Sequence, residues 1–411
     1  MKKIILLLLI FLIHSESFSQ WIQQTSGVTV PLRRVNFINR NTGWICGDAG
    51  TILKTTNGGT NWIAQNSGVP NKILSCISPV NDSVVYCVGF FQTILKTIDG
   101  GSNWMILENG QFGTGRSYES CFFLNEEIGW IGTNYPGTLR TVDGGKSFIQ
   151  QSVNSIPTDI YFKDFFNGIF TVFGSTIGTT TNGGMNWIQT NINTPGLGDE
   201  DFRRITFINN FTGFVVGSRG TAYKTTNFGV TWDSMGFISQ NTDFIRSSAF
   251  ANDSIGYAGG GNQIFKTTNS GRSWKLQNVS GTGFLPDVFC YSDSIVWVVG
   301  NPGHIWFTSK GGQTSINQIS ENIPESFKLS QNYPNPFNPS TTIKFSIKEK
   351  SNYKLEIYNP LGKLISELFN KELSAGEYEY KFDGVSFTSG IYFYKLSSNQ
   401  FTQTKKMILM K

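Results

Sequence analysis

The chain has 411 residues, of which 14% are aromatic and 45 are glycine, while only 15% are charged. This composition favours many short strands joined by tight turns, and no long stretch shows the periodicity of an amphipathic helix. The excess positive charge lies at the carboxyl-terminal end, where residues from Ser326 onward include 12 Lys and 7 acidic residues. A nucleic-acid-binding role for the main body therefore has no electrostatic support.

The first 19 residues have the pattern of a secretory signal peptide. Lys2 and Lys3 precede the apolar core Ile4–Ile13, and Ser17–Ser19 places small side chains at the −3 and −1 positions of a cleavage site. This core is too short to span a bilayer, and no other apolar run is long enough to do so. A buried strand or helix is the alternative interpretation. We expect an exported chain with a signal peptide over residues 1–19 and no transmembrane segment.

Five cysteines lie at positions 46, 76, 87, 121 and 290, so at least one stays unpaired in a monomer. None belongs to a CxxC pair, and a zinc site is not indicated. Cys76 and Cys87 flank the turn-like segment PVND and could face each other across a hairpin as a disulfide. The alternative is that all five are small, buried, apolar side chains.

One short pattern recurs six times: Thr, any residue, Asn or Asp, any residue, Gly, two further residues and an aromatic. Its central residues lie 39 to 45 positions apart, at Asn57, Asp99, Asp143, Asn182, Asn227 and Asn269. A seventh, degenerate copy contains Lys310 at this position. The Asn or Asp side chain is expected to bond backbone N–H groups two residues on, and the glycine to permit a positive φ. We interpret each copy as a turn between the last two strands of a repeating unit.

Two further strand patterns precede each turn. One ends in glycine, as in GWICG at Gly43–Gly47, and the other carries a phenylalanine, as in VNFIN at Val35–Asn39. Four strands in about 42 residues are typical of one blade of a β-propeller, so we predict seven blades over residues 20–315. The isolated segment WIQQTSG, Trp21–Gly27, resembles the outer strand of a blade. We expect it to complete the seventh blade and to remove an open sheet edge.

The composition changes near Pro324, after the polar stretch TSINQISEN. We predict a linker over residues 316–325 and a second domain over residues 326–411. Alternating patterns such as YKLEIY at Tyr353–Tyr358 and IYFYKL at Ile391–Leu396 indicate half-buried antiparallel strands. Six or seven such strands predict a small antiparallel β-sandwich of the Ig-like kind.

The repeated turns resemble the Asp-box, or BNR, repeat of sialidases and related propellers. The complete unit FRRITFINNFTGFVVGSRGTAYKTTNFGVTW, Phe202–Trp232, looks most like propellers of the photosystem II assembly and stability factor family. The resemblance implies that the six Asn and Asp residues of the turns are structural rather than catalytic. It also implies that an arginine patch on one propeller face binds a partner, and the residues most similar to this patch are Arg33, Arg203 and Arg246.

The tail closely resembles the C-terminal sorting domain of proteins exported by the type IX secretion system, above all in NYPNPFNP at Asn332–Pro339. The residues that this resemblance assigns to the sorting signal are Asn335, Pro336, Gly390, Lys405 and Lys406. It implies export across both membranes by the type IX machinery and removal of the tail by a surface peptidase. Attachment to a surface glycolipid, or release, would follow. A carbohydrate-binding or adhesive sandwich that stays attached is the alternative, and surface export argues against a photosynthetic role.

Aligning the blades on their strand phenylalanine places one residue of each blade near the start of its innermost strand, facing a central channel. These ring residues are Arg33, Ser75, Glu119, Thr158, Arg203, Arg246 and Pro286. We call the charged members, Arg33, Glu119, Arg203 and Arg246, the channel mouth. Asp159 and Asp287 follow ring positions by one residue, so strand alternation is expected to turn them to the other face.

The channel mouth is compatible with three functions. Arginine binds carboxylates through its planar fork, so we predict a non-catalytic propeller that binds an anionic protein or glycan there. The alternative is a sialidase-like glycosidase, because three arginines and the neighbouring Tyr118 and Glu119 partly match the groups that such an enzyme needs. A purely structural surface or adhesion protein is a third possibility. We find no catalytic motif, no metal-ligand spacing and no sequence motif for a cofactor.

Overall fold

The computed structural model describes residues 21–107, 115–135, 137–192, 201–218, 220–238, 245–277, 279, 283–309, 311, 316–320, 322–384 and 387–410. These residues form β-strands and turns, and none of them belongs to a helix that could cross a membrane. The chain divides into two compact units between residues 312 and 313. The predicted signal peptide, residues 1–19, lies outside the described residues, and so does Lys310 of the degenerate seventh turn.

In the described part of the first unit, seven four-stranded antiparallel sheets form the blades of a propeller. Blades 1 and 2 consist of β2 (Leu32–Phe37), β3 (Gly43–Gly47), β4 (Ile52–Thr55), β5 (Ile63–Gln65), β6 (Leu74–Pro79), β7 (Val85–Gly89), β8 (Thr93–Thr97) and β9 (Met105–Ile106). Blades 3 and 4 consist of β10 (Tyr118–Phe123), β11 (Gly129–Thr133), β12 (Thr138–Thr141), β13 (Ile149–Gln151), β14 (Pro157–Phe162), β15 (Gly168–Val172), β16 (Thr176–Thr180) and β17 (Ile188–Asn191). Blades 5 and 6 consist of β18 (Phe202–Phe207), β19 (Gly213–Gly217), β20 (Thr221–Thr225), β21 (Asp233–Phe237), β22 (Ile245–Phe250), β23 (Gly256–Gly260), β24 (Gln263–Thr267) and β25 (Lys275–Gln277). Blade 7 consists of β26 (Asp287–Cys290), β27 (Val296–Gly300), β28 (His304–Thr308) and β1 (Ile22–Gln24).

The blades are arranged in a closed ring. The first strand of each blade contacts the first strand of the next, and β26 contacts β2. The second strands are buried along their whole length, which explains their nearly continuous apolar sequences. A Cβ on Gly43 would lie 2.4 Å from the ring of Phe37, so this glycine leaves room for the phenylalanine that recurs in the first strands.

The first strand of the chain completes the last blade, as predicted. Strand β1 pairs with β28, and Gln23 lies opposite Trp306. The side chain of Trp21 is buried and packs edge-on against Tyr257 of blade 6. The two ends of the propeller sequence therefore meet in one sheet.

The Asp-box turns form the predicted connections, but their hydrogen bonds differ from the expected ones. Thr55 Oγ1 accepts the backbone N–H of Gly59 at 2.8 Å and donates to Asn57 Oδ1 at 3.0 Å. Asn57 Oδ1 accepts the N–H of Asn61, four residues on, at 3.0 Å. The threonine, rather than the asparagine, therefore receives the N–H two residues beyond the Asn. The same pattern recurs in the turns of Asp99, Asp143, Asn182, Asn227 and Asn269.

Two turns carry an unusual backbone conformation. The residue directly after the Asn or Asp is a left-handed glycine in four turns, namely Gly58, Gly100, Gly144 and Gly183. Phe228 and Ser270 occupy this position in blades 5 and 6, with φ of 56° and 65°. A side chain with a Cβ is strained in this region, so these two turns deviate from the optimum for the repeat.

The turns also hold neighbouring blades together. Gln24 Nε2 donates to the carbonyl of Gly58 at 3.1 Å, and Trp62 Nε1 donates to Gln24 Oε1 at 3.0 Å. Between blades 1 and 2, Lys54 Nζ and Gln65 Nε2 donate to the carbonyl of Gly100 at 2.8 and 3.1 Å. The recurring Lys, Gln and Trp residues of the repeat are thus explained by contacts between blades.

The second unit is a sandwich of two four-stranded antiparallel sheets in the described residues. Its strands are β29 (Ile316–Ser320), β30 (Lys328–Leu329), β31 (Ser340–Ile347), β32 (Ser351–Tyr358), β33 (Leu364–Leu373), β34 (Gly376–Asp383), β35 (Gly390–Ser397) and β36 (Thr402–Leu409). The sheet orders are β29-β34-β31-β30 and β33-β32-β35-β36. Side chains such as Ile343 and Phe345 from one sheet and Leu355 and Tyr394 from the other share one core.

The predicted linker over residues 316–325 needs correction. Residues Ile316–Ser320 form β29, which pairs with β34 at the edge of the sandwich. Strand β29 lies at the edge of its sheet, where a strand needs little apolar character, so the sequence of Ile316–Ser320 resembles that of a loop.

The cysteines also differ from the hairpin hypothesis. All five thiols are free in the structure, and in the β6–β7 pair Cys76 lies opposite Val88 while Cys87 lies opposite Ile77. Cys76 and Cys87 belong to different core clusters. A disulfide between these two residues is therefore the wrong interpretation.

Candidate functional site

The ring residues occupy a distinctive backbone position. In blade 1, Leu32 pairs with Gly47 and Arg34 pairs with Cys46, so Arg33 is the extra residue of a β-bulge. The same register shift in the next five blades leaves as extra residues Ser75, Glu119, Thr158, Arg203 and Arg246. Blade 7 has no such shift among its described pairs, and Pro286 directly precedes its first strand. In these six blades, the ring residues found by aligning the blades are therefore the bulge residues. Bulges commonly change the direction of side chains next to functional sites.

Two ring residues serve contacts between blades. Ser75 Oγ donates to the carbonyl of Tyr118 at 2.5 Å, and Thr158 Oγ1 donates to the carbonyl of Phe202 at 2.6 Å. Their hydroxyl groups therefore attach one first strand to the next. The four charged residues of the channel mouth have no such bond in the described part of the chain.

The three arginines of the channel mouth differ in their partners. Arg33 is ion-paired with Asp48, and Arg203 lies 3.6 Å from Asp201. Within the residues that the structure describes, Arg246 is in no ion pair, and its Nε is buried without a hydrogen bond. Burial, followed by the charges of Arg203 and Arg33, lowers the pKa of Arg246. Of the three guanidinium groups, that of Arg246 most lacks a compensating anion.

Each of these arginines also lies over a phenylalanine ring. The guanidinium carbon of Arg203 is 4.3 Å from the ring centroid of Phe173, and that of Arg246 is 5.0 Å from Phe284. Arg33 lies 5.8 Å from the ring of Phe90. Stacking on an aromatic ring holds a guanidinium in place while its edge stays available for hydrogen bonds.

Glu119 interacts electrostatically with all three arginines. Burial raises its pKa, while the charges of Arg33, Arg203 and Arg246 oppose this shift. The structure therefore brings together the four residues that the alignment selected. The neighbouring Tyr118 is fully buried in a core cluster between blades 2 and 3. Tyr118 is thus part of the packing and does not reach the channel with Glu119.

Asp159 and Asp287 lie at the central axis, which corrects the expectation that they turn away from it. Arg34 Nη2 of blade 1 donates to Asp159 Oδ1 of blade 4 at 2.8 Å. Arg204 of blade 5 lies 3.8 Å from Asp159 and 3.7 Å from Asp287 of blade 7. In blade 4 the bulge interrupts the strand alternation, so Asp159, the residue after it, also faces inward. We call Arg34, Asp159, Arg204 and Asp287 the axial ion cluster.

The axial ion cluster also links neighbouring blades. Asp159 Oδ2 accepts the N–H of Ile205 at 3.1 Å, and Asp287 Oδ2 accepts the N–H of Val35 at 2.9 Å. Burial raises the pKa of both aspartates to about 6, although Arg34 opposes the shift. Burial alone would lower the pKa of Arg34, but these carboxylates raise it above its ordinary value. Side chains from four blades thus close the axis next to the channel mouth.

In the second unit, the residues assigned to the sorting signal gather around the last strand. Asn335 Oδ1 accepts the N–H of Ile408 at 2.9 Å, and its Nδ2 donates to the carbonyl of Lys406 at 3.4 Å. Gly390 lies opposite Leu409, and Lys405 pairs with Tyr394 in the sheet. Pro336 follows Asn335 and is exposed. The segment NYPNPFNP is therefore anchored to β36, and the side chain of Lys406 is exposed.

The described residues contain no cluster of three or more His, Cys, Asp or Glu side chains that could hold a metal ion. The acidic residues nearest the axis, Asp159 and Asp287, already accept hydrogen bonds and ion pairs. Glu119 is accompanied by arginines only.

Family models match both units. The model for the C-terminal sorting domain of a secretion system matches residues 331–410. The model for photosynthesis system II assembly factor YCF48 matches residues 13–111 and 146–288, which is more than half of the chain. The chain belongs to the YCF48 family. The name of this family describes an assembly factor rather than an enzyme, and the sorting domain indicates type IX export to the cell surface or the extracellular space.

Solved structures support the propeller fold of this YCF48-family member. A structure titled "YCF48 bound to D1 peptide" is 17% identical, with a TM-score of 0.59 over 71% of this chain and 97% of that chain. YCF48 from Cyanidioschyzon merolae is 19% identical, with a TM-score of 0.58 over 70% and 98% of the two chains. The WD40 propeller domain of Doa1 is 13% identical, with a TM-score of 0.56 over 70% and 97%. No curated protein matches the chain.

The sequence alignment missed the axial ion cluster and the three phenylalanines. A signal for the arginines was present, since blades 1 and 5 carry the pairs Arg33-Arg34 and Arg203-Arg204. A strict alternation of side chains assigned only the first member of each pair to the channel. Phe90, Phe173 and Phe284 lie in connections or near strand ends, where the repeat does not fix their direction.

Proposed function

We propose that the propeller is a non-catalytic binding module whose channel mouth binds a carboxylate-bearing peptide segment of another protein. The observation that carries this proposal is the half-buried guanidinium of Arg246, which is in no ion pair among the described residues, has a buried Nε without a hydrogen bond, and lies beside two further arginines. A carboxylate placed there gains charge-assisted hydrogen bonds to a group that is already desolvated.

The aromatic rings favour a peptide over a glycan. Phe173 is 45% exposed beside Arg203, and Phe90 and Phe284 are half-buried beside the other arginines. Apolar side chains next to the carboxylate can pack against these rings. A propeller of the same family has been solved with a peptide, which supports the same class of ligand here.

The glycosidase hypothesis receives less support from the same geometry. Tyr118 is buried in the core, and the two axial aspartates are occupied by arginines and backbone N–H groups. A glycosidase needs a carboxyl group free to transfer a proton to the sugar. Glu119 alone does not provide the pair of groups that such a reaction uses.

A site-specific crosslink tests the location of the ligand. A photoreactive benzoylphenylalanine is placed at Phe173 in the chain from residue 20 onward, and the protein is irradiated on intact host cells. The control carries the same group at Val230, which is 77% exposed on an Asp-box turn. We expect a protein adduct from position 173 only. Adducts from both positions or from Val230 alone would contradict binding at the mouth, and a carbohydrate adduct would indicate a glycan.

Charge variants then test the chemistry with the peptide identified by that adduct. Arg33→Ala/Arg203→Ala/Arg246→Ala is expected to weaken binding at least 10-fold, and Arg246→Ala alone to cause most of this loss. The control variant Lys146→Ala/Arg272→Ala/Lys275→Ala also removes three cations, but these are exposed and lie on Asp-box turns or an outer strand. Equal losses of binding in both triple variants would show that the effect depends only on the net charge of the protein. Unchanged binding in the mouth variant would refute the proposal.

A further inference from the structure

Two of the buried cysteines lie in contact across a blade boundary. Cys76 belongs to β6 of blade 2, and Cys121 belongs to β10 of blade 3. The backbone N–H of Cys121 donates to Cys76 Sγ at 3.2 Å, and Cys76 Sγ donates to the carbonyl of Cys121 at 3.5 Å. The two side chains also share one core cluster.

Equivalent positions in other blades show that this contact does not need cysteine. Asp159 accepts the N–H of Ile205 in the next blade, and Ser247 Oγ accepts the N–H of Val288 at 3.2 Å. An oxygen thus replaces the sulfur of Cys76, and an aliphatic side chain replaces Cys121, without loss of the contact between blades. Only blades 2 and 3, among the described residues, place two thiols at these positions.

We propose that Cys76 and Cys121 form a disulfide in the exported protein and thereby join blade 2 to blade 3 covalently. Cys76 Sγ already lies against the backbone of Cys121, so the two sulfur atoms can approach each other with little movement of the backbone. The sorting domain directs the chain out of the reducing cytosol, and disulfides persist in oxidising compartments. This inference is independent of the ligand proposed above.

The reaction is a thiol–disulfide exchange with a protein or small-molecule disulfide as the oxidant. Cys76 attacks the donor disulfide as a thiolate and forms a mixed disulfide with it. Cys121 then attacks the sulfur of Cys76 and displaces the remaining donor thiol. The donor disulfide is reduced to two thiols, which take up the two protons that the cysteines lose. Since both thiols are buried in the closed ring, the exchange occurs before the blades have packed.

The other cysteines have different surroundings. Cys46 and Cys87 share the core cluster on the opposite side of blade 2, with Trp44 and Ile77. The Cys290 thiol in blade 7 donates to the carbonyl of Ser292 at 2.8 Å. Cys290 therefore provides the internal reference for an oxidation experiment, because Cys46 and Cys87 interact with each other.

A peptide map of the exported protein tests the bond directly. The chain is collected from the surface or the medium of its host, unfolded, alkylated without reduction and digested. We expect one disulfide-linked pair of peptides that contains Cys76 and Cys121, and its absence from the same chain made in a reducing cytosol. Alkylation of both cysteines in the exported chain would overturn the proposal. A bond from either residue to Cys46, Cys87 or Cys290 would also overturn it.

Thermal unfolding provides a second measurement. A disulfide that closes the loop between Cys76 and Cys121 is expected to raise the midpoint temperature of unfolding by about 5–10 °C. Reductant should therefore lower the midpoint of the exported wild type by that amount. Cys76→Ser/Cys121→Ala copies the side-chain types that other blades use and should show no response to reductant. The control Cys290→Ser should respond like the wild type. An equal response of the double variant would assign the effect to another bond and refute the proposal.

Discussion

In the Asp-box turns, six blades use the same side chains for the same hydrogen bonds, whereas at the central axis neighbouring blades use different side chains. Thr55 and Thr267 make identical contacts in blades 1 and 6. At the first-strand bulges of the same two blades lie Arg33 and Arg246, of which only Arg33 has an acidic partner among the described residues. Repetition in this molecule therefore marks what every blade needs to fold. Departure from repetition, combined with buried charge, marks the candidate site.

The largest effect is expected where the axial charges lose a partner. Arg34→Ala leaves Asp159 and Asp287 buried beside Arg204 alone, and we expect it to lower the free energy of unfolding by about 3 kcal/mol at pH 7. Urea denaturation measures this change.

The neighbouring arginine is the control for that experiment. Asp48, the partner of Arg33, is partly exposed, so Arg33→Ala should cost less than about 1 kcal/mol. Equal costs for the two variants would show that the axial cluster has no special energetic role.

The second prediction concerns pH. Asp159 and Asp287 have pKa values of about 6 in the folded protein, above the ordinary value of 3.8, so the folded state binds protons more readily than the unfolded state. Their contribution to stability is complete below pH 3.8 and is lost as the pH rises through 6. We expect the free energy of unfolding to increase by about 2 kcal/mol from pH 7 to pH 5.

Asp287→Asn separates this effect from other titrating groups. The variant should show a markedly smaller increase between pH 7 and pH 5, because one of the two axial carboxyl groups is removed. Hydrogen bonds from Asn103 hold the pKa of Asp99 in its turn at about 2, so Asp99 does not titrate in this range. A stability that falls between pH 7 and pH 5 in the wild type would contradict the assignment.

The turns should respond with smaller and more uniform losses. Thr267→Val leaves the N–H groups of Asn269 and Gly271 without their acceptor, and we expect a cost of about 2 kcal/mol in urea denaturation. Thr55→Val should cost the same within about 0.5 kcal/mol, because the contacts are identical. Strongly different costs would show that the turns are not equivalent units.

The smallest effect should be stabilising. Ser270 has φ of 65° at a position where four turns have glycine, so Ser270→Gly is expected to raise the free energy of unfolding by about 0.5–1 kcal/mol. The reverse substitution Gly58→Ser, at the equivalent position of blade 1 with the same backbone conformation, should lower the free energy of unfolding by a similar amount. Destabilisation by Ser270→Gly would mean that the serine side chain contributes more than its backbone strain costs.

The sequence was sufficient to predict the propeller, its closure by Trp21–Gly27 and the sandwich, because each depends on local patterns that recur many times. The direction of side chains at the bulges was not predictable in this way. A one-residue insertion alters the alternation without leaving a pattern, so Asp159 was assigned to the wrong face. The strand Ile316–Ser320 was missed because its pairing partner, β34, lies about 60 residues further along the chain.

The closure of blade 7 determines the order in which this protein can mature. The first strand in the sequence, β1, pairs with β28. Gln24 therefore cannot pair with Ile305 until Ile305 has been synthesised. Until then blade 7 lacks its outer strand. The hydrogen bond from Gln24 to the carbonyl of Gly58, which joins blade 7 to blade 1, cannot form before the ring closes. Contacts between such distant residues form slowly, because a long loop must close before any of its interactions are gained. A chain that is passed across a membrane amino terminus first is therefore kept from completing its fold until nearly the whole propeller has crossed.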